Sequence, residues 1–329
     1  MDYQAMTFSG RFIIFGAGAI GSVFGGMLVR GGHQVDLVGR PDHMEAIRSK
    51  GLAIEGLLGD HVVRPSGAWT ILEELPADPP VRAVLICVKS YSTAAAVKDL
   101  ARSGLVREDT LVVSLQNGLG NLEKIREVFG HDAGVGGRVI FGAESRKPGR
   151  VFVSVWADAV LIGGPSSEKR IAEGTALAEE LTRCGIRTLF TRDIMAALWG
   201  KVLYNVGLNP LSSLLGVPYG KLEEEKNARA LLEDAIREAF RVASRETYLG
   251  FPDEDAYLAH FFLKLLPATR SHHSSMLQDM EKGRETEIDA ITGEVIRRGR
   301  EYGIPTPVNN ALFDLVKART GMRRGESTA

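Results

Sequence analysis

A chain of 329 residues, 44% hydrophobic and 25% charged, is long enough for about two globular domains with sizeable cores. Its 40 basic and 41 acidic side chains leave a net charge of −1, which offers nucleic acid or an anionic membrane no field to follow. Two cysteines, no basic leader and no apolar run near ~18 residues predict a cytoplasmic protein without disulfides, bound metal or membrane span.

The first element is a short apolar strand, RFIIF at 11–15, ending in GAGAIG at 16–21. This G-x-G-x-x-G precedes a helical stretch over 19–30. Its glycines permit a tight turn and close approach of a pyrophosphate, which then meets the N–H groups of the helix start. The backbone of Gly16, Ala17, Gly18, Ala19, Ile20 and Gly21 is therefore the candidate dinucleotide cradle. A second strand, 35–38, ends in Gly39 and Arg40 rather than in an acidic residue, and Asp36 lies in mid-strand. A small residue followed by Arg suits a 2′-phosphate, so NADP is expected rather than NAD. The alternative is that Arg40 merely caps a solvated loop before Pro41.

Residues 41–50 read as a helix and 52–70 as short strands broken by glycines. A buried parallel-type strand follows at 81–88, with Lys89 and Ser90 at its C-terminal end, where open α/β sheets place their ligands. Strand 111–115 likewise ends in Gln116-Asn117-Gly118, where Asn117 either tolerates a strained loop or offers its amide to a ligand. Strand-like pieces at 139–141, 151–155 and 160–162 lead to a helix over 168–184 and a strand over 186–190. Beyond Thr191 the pattern is helical throughout, which sets a domain boundary near residue 190.

The helical half opens with IMAALWGKVLYNVGLNPLSSLLG at 194–216, apolar almost all round except for Lys201, Asn205 and Asn209. Four-residue spacing stacks those three on one face. Burying an amide without a partner costs roughly 2–7 kcal/mol, so the row is expected to line a cavity, or else to form an interhelical network. Pro210 predicts a kink near Asn209. A long amphipathic helix is expected over 222–249. His272 and His273 read as solvated or packing residues. In SSMLQDMEKGRETEID at 274–289, Gly283 ends one helix, and Thr286 with Asp289 forms a capping box that places Glu287 in the first turn of the next. The final MRRGESTA reads as a frayed tail.

Together these segments resemble the ketopantoate reductases, the NADP-dependent 2-dehydropantoate 2-reductases of pantothenate synthesis. The likeness runs from GAGAIG through CVKS (87–90), QNGLG (116–120), WGKVLYNVGLNP (199–210) and SSMLQD…TEID to YGIPTPVN (302–309), almost the whole chain in the family's order. The fold it implies is α/β: a Rossmann-type doubly wound sheet over 1–190, then an all-helical domain over 191–329 like the C-terminal domain of 6-phosphogluconate dehydrogenase. By position it implies Lys201 as proton donor. Asn205, Asn209 and Ser275 would hold the 2-oxo acid, and Asn117 would touch substrate and cofactor. Arg40, Lys89, the backbone near Ala143 and Glu287 would bind NADP. No nucleic acid or membrane partner is implied; a homodimer stays open.

The chain departs from the family's pattern at Arg138, Val139, Ser154, Trp156, Asp158 and Tyr219, on the expected substrate side. A reductase of another 2-oxo acid is the first alternative, and a non-catalytic NADP-binding sensor the second. The chemistry fits the residues independently of the likeness: a buried Lys⁺ stabilises charge growing on a ketone oxygen and gives up its proton, while amides position the substrate.

Overall fold

The computed structural model describes residues 8–326; the leader reading of the first seven residues and the end of the tail reading lie outside them. The chain forms two compact units: residues up to Asn117 with Asn121–Ile194, and Gly118–Gly120 with the chain from Met195 onward. No helix among the described residues is long and apolar enough to cross a membrane.

The first unit runs β1 (Arg11–Phe15), α1 (Ala19–Arg30), β2 (Gln34–Val38), α2 (Pro41–Lys50), β3 (Leu52–Gly56), β4 (His61–Val63), β5 (Gly67–Trp69), β6 (Val81–Ile86), α3 (Thr93–Ser103), β7 (Leu111–Ser114), α4 (Asn121–Phe129), β8 (Gly134–Arg138), β9 (Phe141–Lys147), β10 (Arg150–Trp156), β11 (Val160–Gly163), α5 (Glu168–Arg183) and β12 (Thr188–Thr191). Eight strands make one sheet in the order β12-β11-β8-β7-β6-β1-β2-β5, parallel except between β8 and β11. From the β5 edge inward this is the order of a doubly wound dinucleotide-binding sheet, whose crevice opens where the winding reverses, between β1 and β6. The period-2 alternation of β1 explains the layers. Phe12 and Ile14 enter the core shared with α1 and α5, while Ile13 enters the core shared with α3 and α4.

A four-stranded second sheet, β4-β3-β10-β9, was not foreseen. Its inward residues Ile54, Val151 and Val153 join the α1-side core, so it packs on α1 rather than forming a domain of its own. The sequence shows the strands but not this partnership, because β3 pairs with β10 across almost a hundred residues.

The second unit is helical: α6 (Ile194–Leu215), α7 (Tyr219–Glu224), α8 (Lys226–Ala243), α9 (Glu254–His260), α10 (Ser275–Glu281), α11 (Glu294–Tyr302) and α12 (Pro307–Glu326). Three expectations are corrected here. The helix expected over 222–249 is broken at Glu225, whose carboxylate caps α8 by accepting from Ala228 N at 2.7 Å. In place of the Thr286/Asp289 capping box, Asp289 pairs with Lys317 at 3.0 Å, and residues Asp289–Gly293 form a π-helical turn leading into α11. Helix α12 continues to Glu326, so most of the expected tail is helical. Helix α6 runs unbroken through Pro210, with Ser213 Oγ donating to Asn209 O at 2.6 Å. Gly283, with φ of +62°, follows α10 as its spacing indicates.

Candidate active site

In the first unit, the glycine turn is fixed by backbone bonds before any side chain acts. Gly16 N and Ala17 N both donate to Val38 O, at 3.0 and 2.8 Å, which ties the turn to the end of β2. Gly16 has φ of +101°, and a Cβ there would lie 2.4 Å from Val88 N. Gly21 is equally closed, since its Cβ would meet Gly16 O at 2.4 Å. Gly18 is the opposite: a Cβ would meet nothing within 4 Å. It is the N-cap of α1 with no side chain bonded over it, so the first N–H groups of the helix carry a partial positive charge that no capping side chain neutralises. That arrangement fits a phosphate-bearing dinucleotide.

His43 and Ser22 buttress this turn, and sequence reasoning missed both. Gly149 N donates to His43 Nδ1 at 2.9 Å, so that nitrogen is unprotonated and Nε2–H is left to face Ser22 Oγ at 3.0 Å. Ser22 Oγ in turn donates to Ala17 O at 3.3 Å. Burial, with the Arg40 charge second, pushes the His43 pKa below its usual 6.5. Asp36 is engaged elsewhere: buried in β2, it accepts from Arg11 Nε at 2.7 Å and Trp69 Nε1 at 2.8 Å. Arg40, at the strand end, is exposed, and its side chain makes no hydrogen bond or ion pair among the described residues. Its backbone serves as the N-cap of α2 while its guanidinium remains available.

At the ends of β6 and β7 a buried polar network replaces the isolated residues the sequence suggested. Gln116 Nε2 donates to Val88 O at 2.9 Å and to Thr93 Oγ1 at 2.7 Å. Thr93 Oγ1 lies 2.7 Å from Asn121 Oδ1, and Asn121 Nδ2 donates to Asn117 O at 3.0 Å. Gln116, Thr93 and Asn121 thus hold the two loops that carry Lys89 and Asn117, both half-buried. Ala143 sits in β9 opposite Val153.

The departures in this unit have local accounts. Arg138 donates to Asp158 at 2.9 Å and to Ala159 O, so these two departures bond each other. Trp156 stacks face to face on Phe141, with centroids 4.8 Å apart, and Ser154 Oγ reaches Gly142 O at 3.4 Å. Val139 is core. His33, Glu180 and Cys184 form a metal-type trio, but Arg183 already bonds the Glu180 carboxylate, and burial pushes the Cys184 thiol up to about 11.

In the second unit, α6 carries Lys201, Asn205 and Asn209 one turn apart, ~6 Å per step. Lys201 is half-buried, not fully buried as expected, because its position on α6 leaves the side chain partly open. Asn205 is only 8% exposed, yet its amide makes no hydrogen bond among the described residues. It is also absent from the sealed, unpaired polar atoms, so it still touches open space. Asn209, 2% exposed, accepts at Oδ1 from Tyr219 at 2.9 Å, a partnership between two helices that no spacing pattern reveals. Ser275 is exposed at the start of α10, beside Ser274, whose Oγ caps that helix through Leu277 N at 2.9 Å. Glu287 is 6% exposed, just ahead of the π-helical turn. From within the same unit Leu119 N donates to Ala290 O of that turn at 2.8 Å.

Comparison with known proteins covers both units. Residues 12–165 match the family "Ketopantoate reductase PanE/ApbA", and residues 193–320 match its C-terminal counterpart. The 2-dehydropantoate 2-reductase of Aquifex aeolicus (strain VF5) is 37% identical over 310 residues, 94% of this chain and 96% of that protein. Among solved structures, a PanE/ApbA family ketopantoate reductase from Ralstonia eutropha JMP134 superposes with a TM-score of 0.84 at 32% identity, covering 95% of this chain and 99% of the other. A D-mandelate dehydrogenase bound to NADH and anilino(oxo)acetate gives 0.84 at 27% identity, covering 95% and 98%. With both units matched, and a relative more than one-third identical across nearly all of either chain, the protein belongs to the ketopantoate reductase family.

Proposed function

We propose that the protein catalyses the NADPH-dependent reduction of 2-dehydropantoate to pantoate, a step of pantothenate synthesis. One observation carries the site assignment: an almost buried amide, Asn205, lacks a partner among the described residues one turn beyond Lys201 on an otherwise apolar helix. Buried amides are normally satisfied, so this one is kept for a ligand.

Bound NADPH supplies a hydride, two electrons and one hydrogen, to the C2 carbonyl carbon of the substrate. As the C=O π bond opens, negative charge gathers on the oxygen. Lys201 Nζ stabilises that charge and transfers one proton to it, which completes the C–H and O–H bonds of the alcohol and leaves a neutral amine for solvent to reprotonate. Asn205, Asn209 and Ser275 orient the 2-oxo acid. On the cofactor side, the N–H groups following Gly18 hold the pyrophosphate and Arg40 meets the 2′-phosphate. Lys89, Asn117, Ala143 and Glu287 complete the dinucleotide contacts in this reading.

The test is NADPH oxidation with ketopantoate beside a panel of 2-oxo acids that includes an aryl member, because the mandelate dehydrogenase likeness favours that as the second reading. Ketopantoate is expected to give the highest kcat/KM. An aryl 2-oxo acid in first place would replace the substrate assignment. NADPH binding without turnover of any member would leave the sensor reading.

A further inference from the structure

We propose that Tyr219 is a positioning residue: its hydroxyl commits Asn209 to act as a hydrogen-bond donor, and thereby selects substrates that present an acceptor oxygen there. The inference rests on the reductase reading above and deepens it.

Tyr219 opens α7 and is 3% exposed. Its hydroxyl donates to Asn209 Oδ1 at 2.9 Å. Burial pushes the phenol pKa far up, so the proton is always there to donate. The ring cannot swing away. Tyr204 meets it edge-on at 6.1 Å, the His272 ring lies 5.5 Å off, and the Tyr219 N–H is bonded to His272 O at 3.1 Å. Tyr204 is itself fastened through its hydroxyl to Thr269 Oγ1 at 2.6 Å.

The consequence lies on the other half of the amide. With Oδ1 fixed on the phenol, Nδ2 must point away from it. Nδ2 makes no hydrogen bond among the described residues and is not among the sealed, unpaired atoms, so it remains accessible. Asn209 therefore offers N–H groups and not its oxygen. Asn205 has both amide atoms unengaged and can turn to either role. A carboxylate or hydroxyl oxygen satisfies Asn209; an ammonium does not. Tyr219, one of the departures from the family's pattern, thus tightens recognition of an oxygen-rich 2-oxo acid.

The test is a double-mutant cycle with Tyr219→Phe and Asn209→Ala, reading KM and kcat for ketopantoate, with melting curves and NADPH binding as fold controls. Tyr219→Phe is expected to raise KM roughly 5- to 10-fold, the worth of one neutral hydrogen bond, with kcat within about twofold. In the Asn209→Ala background the same change is expected to leave KM unaltered, a coupling that a purely structural role would not produce. An unchanged KM in Tyr219→Phe, or equal KM effects in both backgrounds, overturns the role of Tyr219 while wild-type turnover keeps the reductase reading standing. Absence of wild-type turnover with every 2-oxo acid overturns both.

Discussion

Alanine at two glycines of the same turn is expected to have opposite effects. At Gly16 the substitution forces a side chain into φ of +101° and drives a Cβ to 2.4 Å from Val88 N, backbone that cannot step aside. Strain of about 1–3 kcal/mol plus overpacking of similar size is a large fraction of a typical domain's stability, so this variant should melt far below wild type or fail to fold. At Gly18 the backbone is already extended, φ −79° and ψ −155°, and nothing lies within 4 Å of the new methyl. Lower entropy of the unfolded chain favours alanine by about 0.4–1 kcal/mol. Loss of glycine at an N-cap costs about the same, so the melting temperature should barely move. The open space over Gly18 is, however, where the pyrophosphate is placed. NADPH affinity, titrated by its fluorescence, should fall at least ~10-fold, which corresponds to about 1.4 kcal/mol. A Gly18→Ala protein that binds NADPH like wild type would refute placement of the phosphates on this turn.

Lys201→Ala should lower kcat by roughly 10²–10⁴ while NADPH affinity stays within a few-fold, measured by steady-state kinetics and direct titration; near-normal turnover removes Lys201 from proton transfer. Arg40→Ala should raise KM for NADPH about 10- to 100-fold, from ~1.5–3 kcal/mol for a charge-assisted contact, and leave KM for NADH nearly unchanged. Because the Arg40 side chain is exposed and bonds no neighbour among the described residues, the variant's melting curve should match wild type. The His43 pKa, lowered by burial and then by Arg40, means the native state binds that proton less readily than the unfolded chain. Its contribution is thus complete above pH 6.5 and is lost as pH falls through the depressed native value. His43→Gln should flatten that limb of the melting-temperature profile; an unaltered limb assigns it to other groups.

What could be read from the sequence was what depends on short-range order. The strand–glycine turn–helix unit needs only twenty consecutive residues, and the row at 201, 205 and 209 needs only helical periodicity. What could not be read were partnerships across long separations. Asp36 looks like a ribose ligand by spacing until Arg11 and Trp69 are seen to occupy it. Arg138 and Asp158 look like changes to a substrate site until they are seen to pair with each other. Tyr219 looked like a departure of unknown meaning because its partner, Asn209, lies on another helix. The break at Glu225 was hidden because its flanks share one amphipathic phase, and only the capping bond shows where α8 begins.

The polar row on α6 is a liability that the rest of the helical unit is built to carry. A nearly buried amide such as Asn205, with no hydrogen-bond partner among the described residues, does nothing to hold its helix, so the helix must be held by other contacts. Near its start Trp199, fully buried, donates to Glu246 at 2.8 Å, and the same carboxylate accepts from Arg298 at 2.6 Å and Tyr302 at 2.8 Å. Burial alone would raise the Glu246 pKa, yet these donors hold it below the ordinary range, so the carboxylate stays charged and fastened. At the far end Arg319 of α12 donates to Ser213 O at 2.6 Å and to Leu214 O, satisfying carbonyls that a helix terminus would leave open. Helix α12 is in turn fixed at its start, where Glu238 accepts from Val308 N, Asn309 N and Asn309 Nδ2 at 2.8–3.0 Å. Both ends of α6 are thus anchored by groups far away in sequence. That anchoring fixes the helix on which Lys201, Asn205 and Asn209 are stacked through contacts that use none of those three side chains.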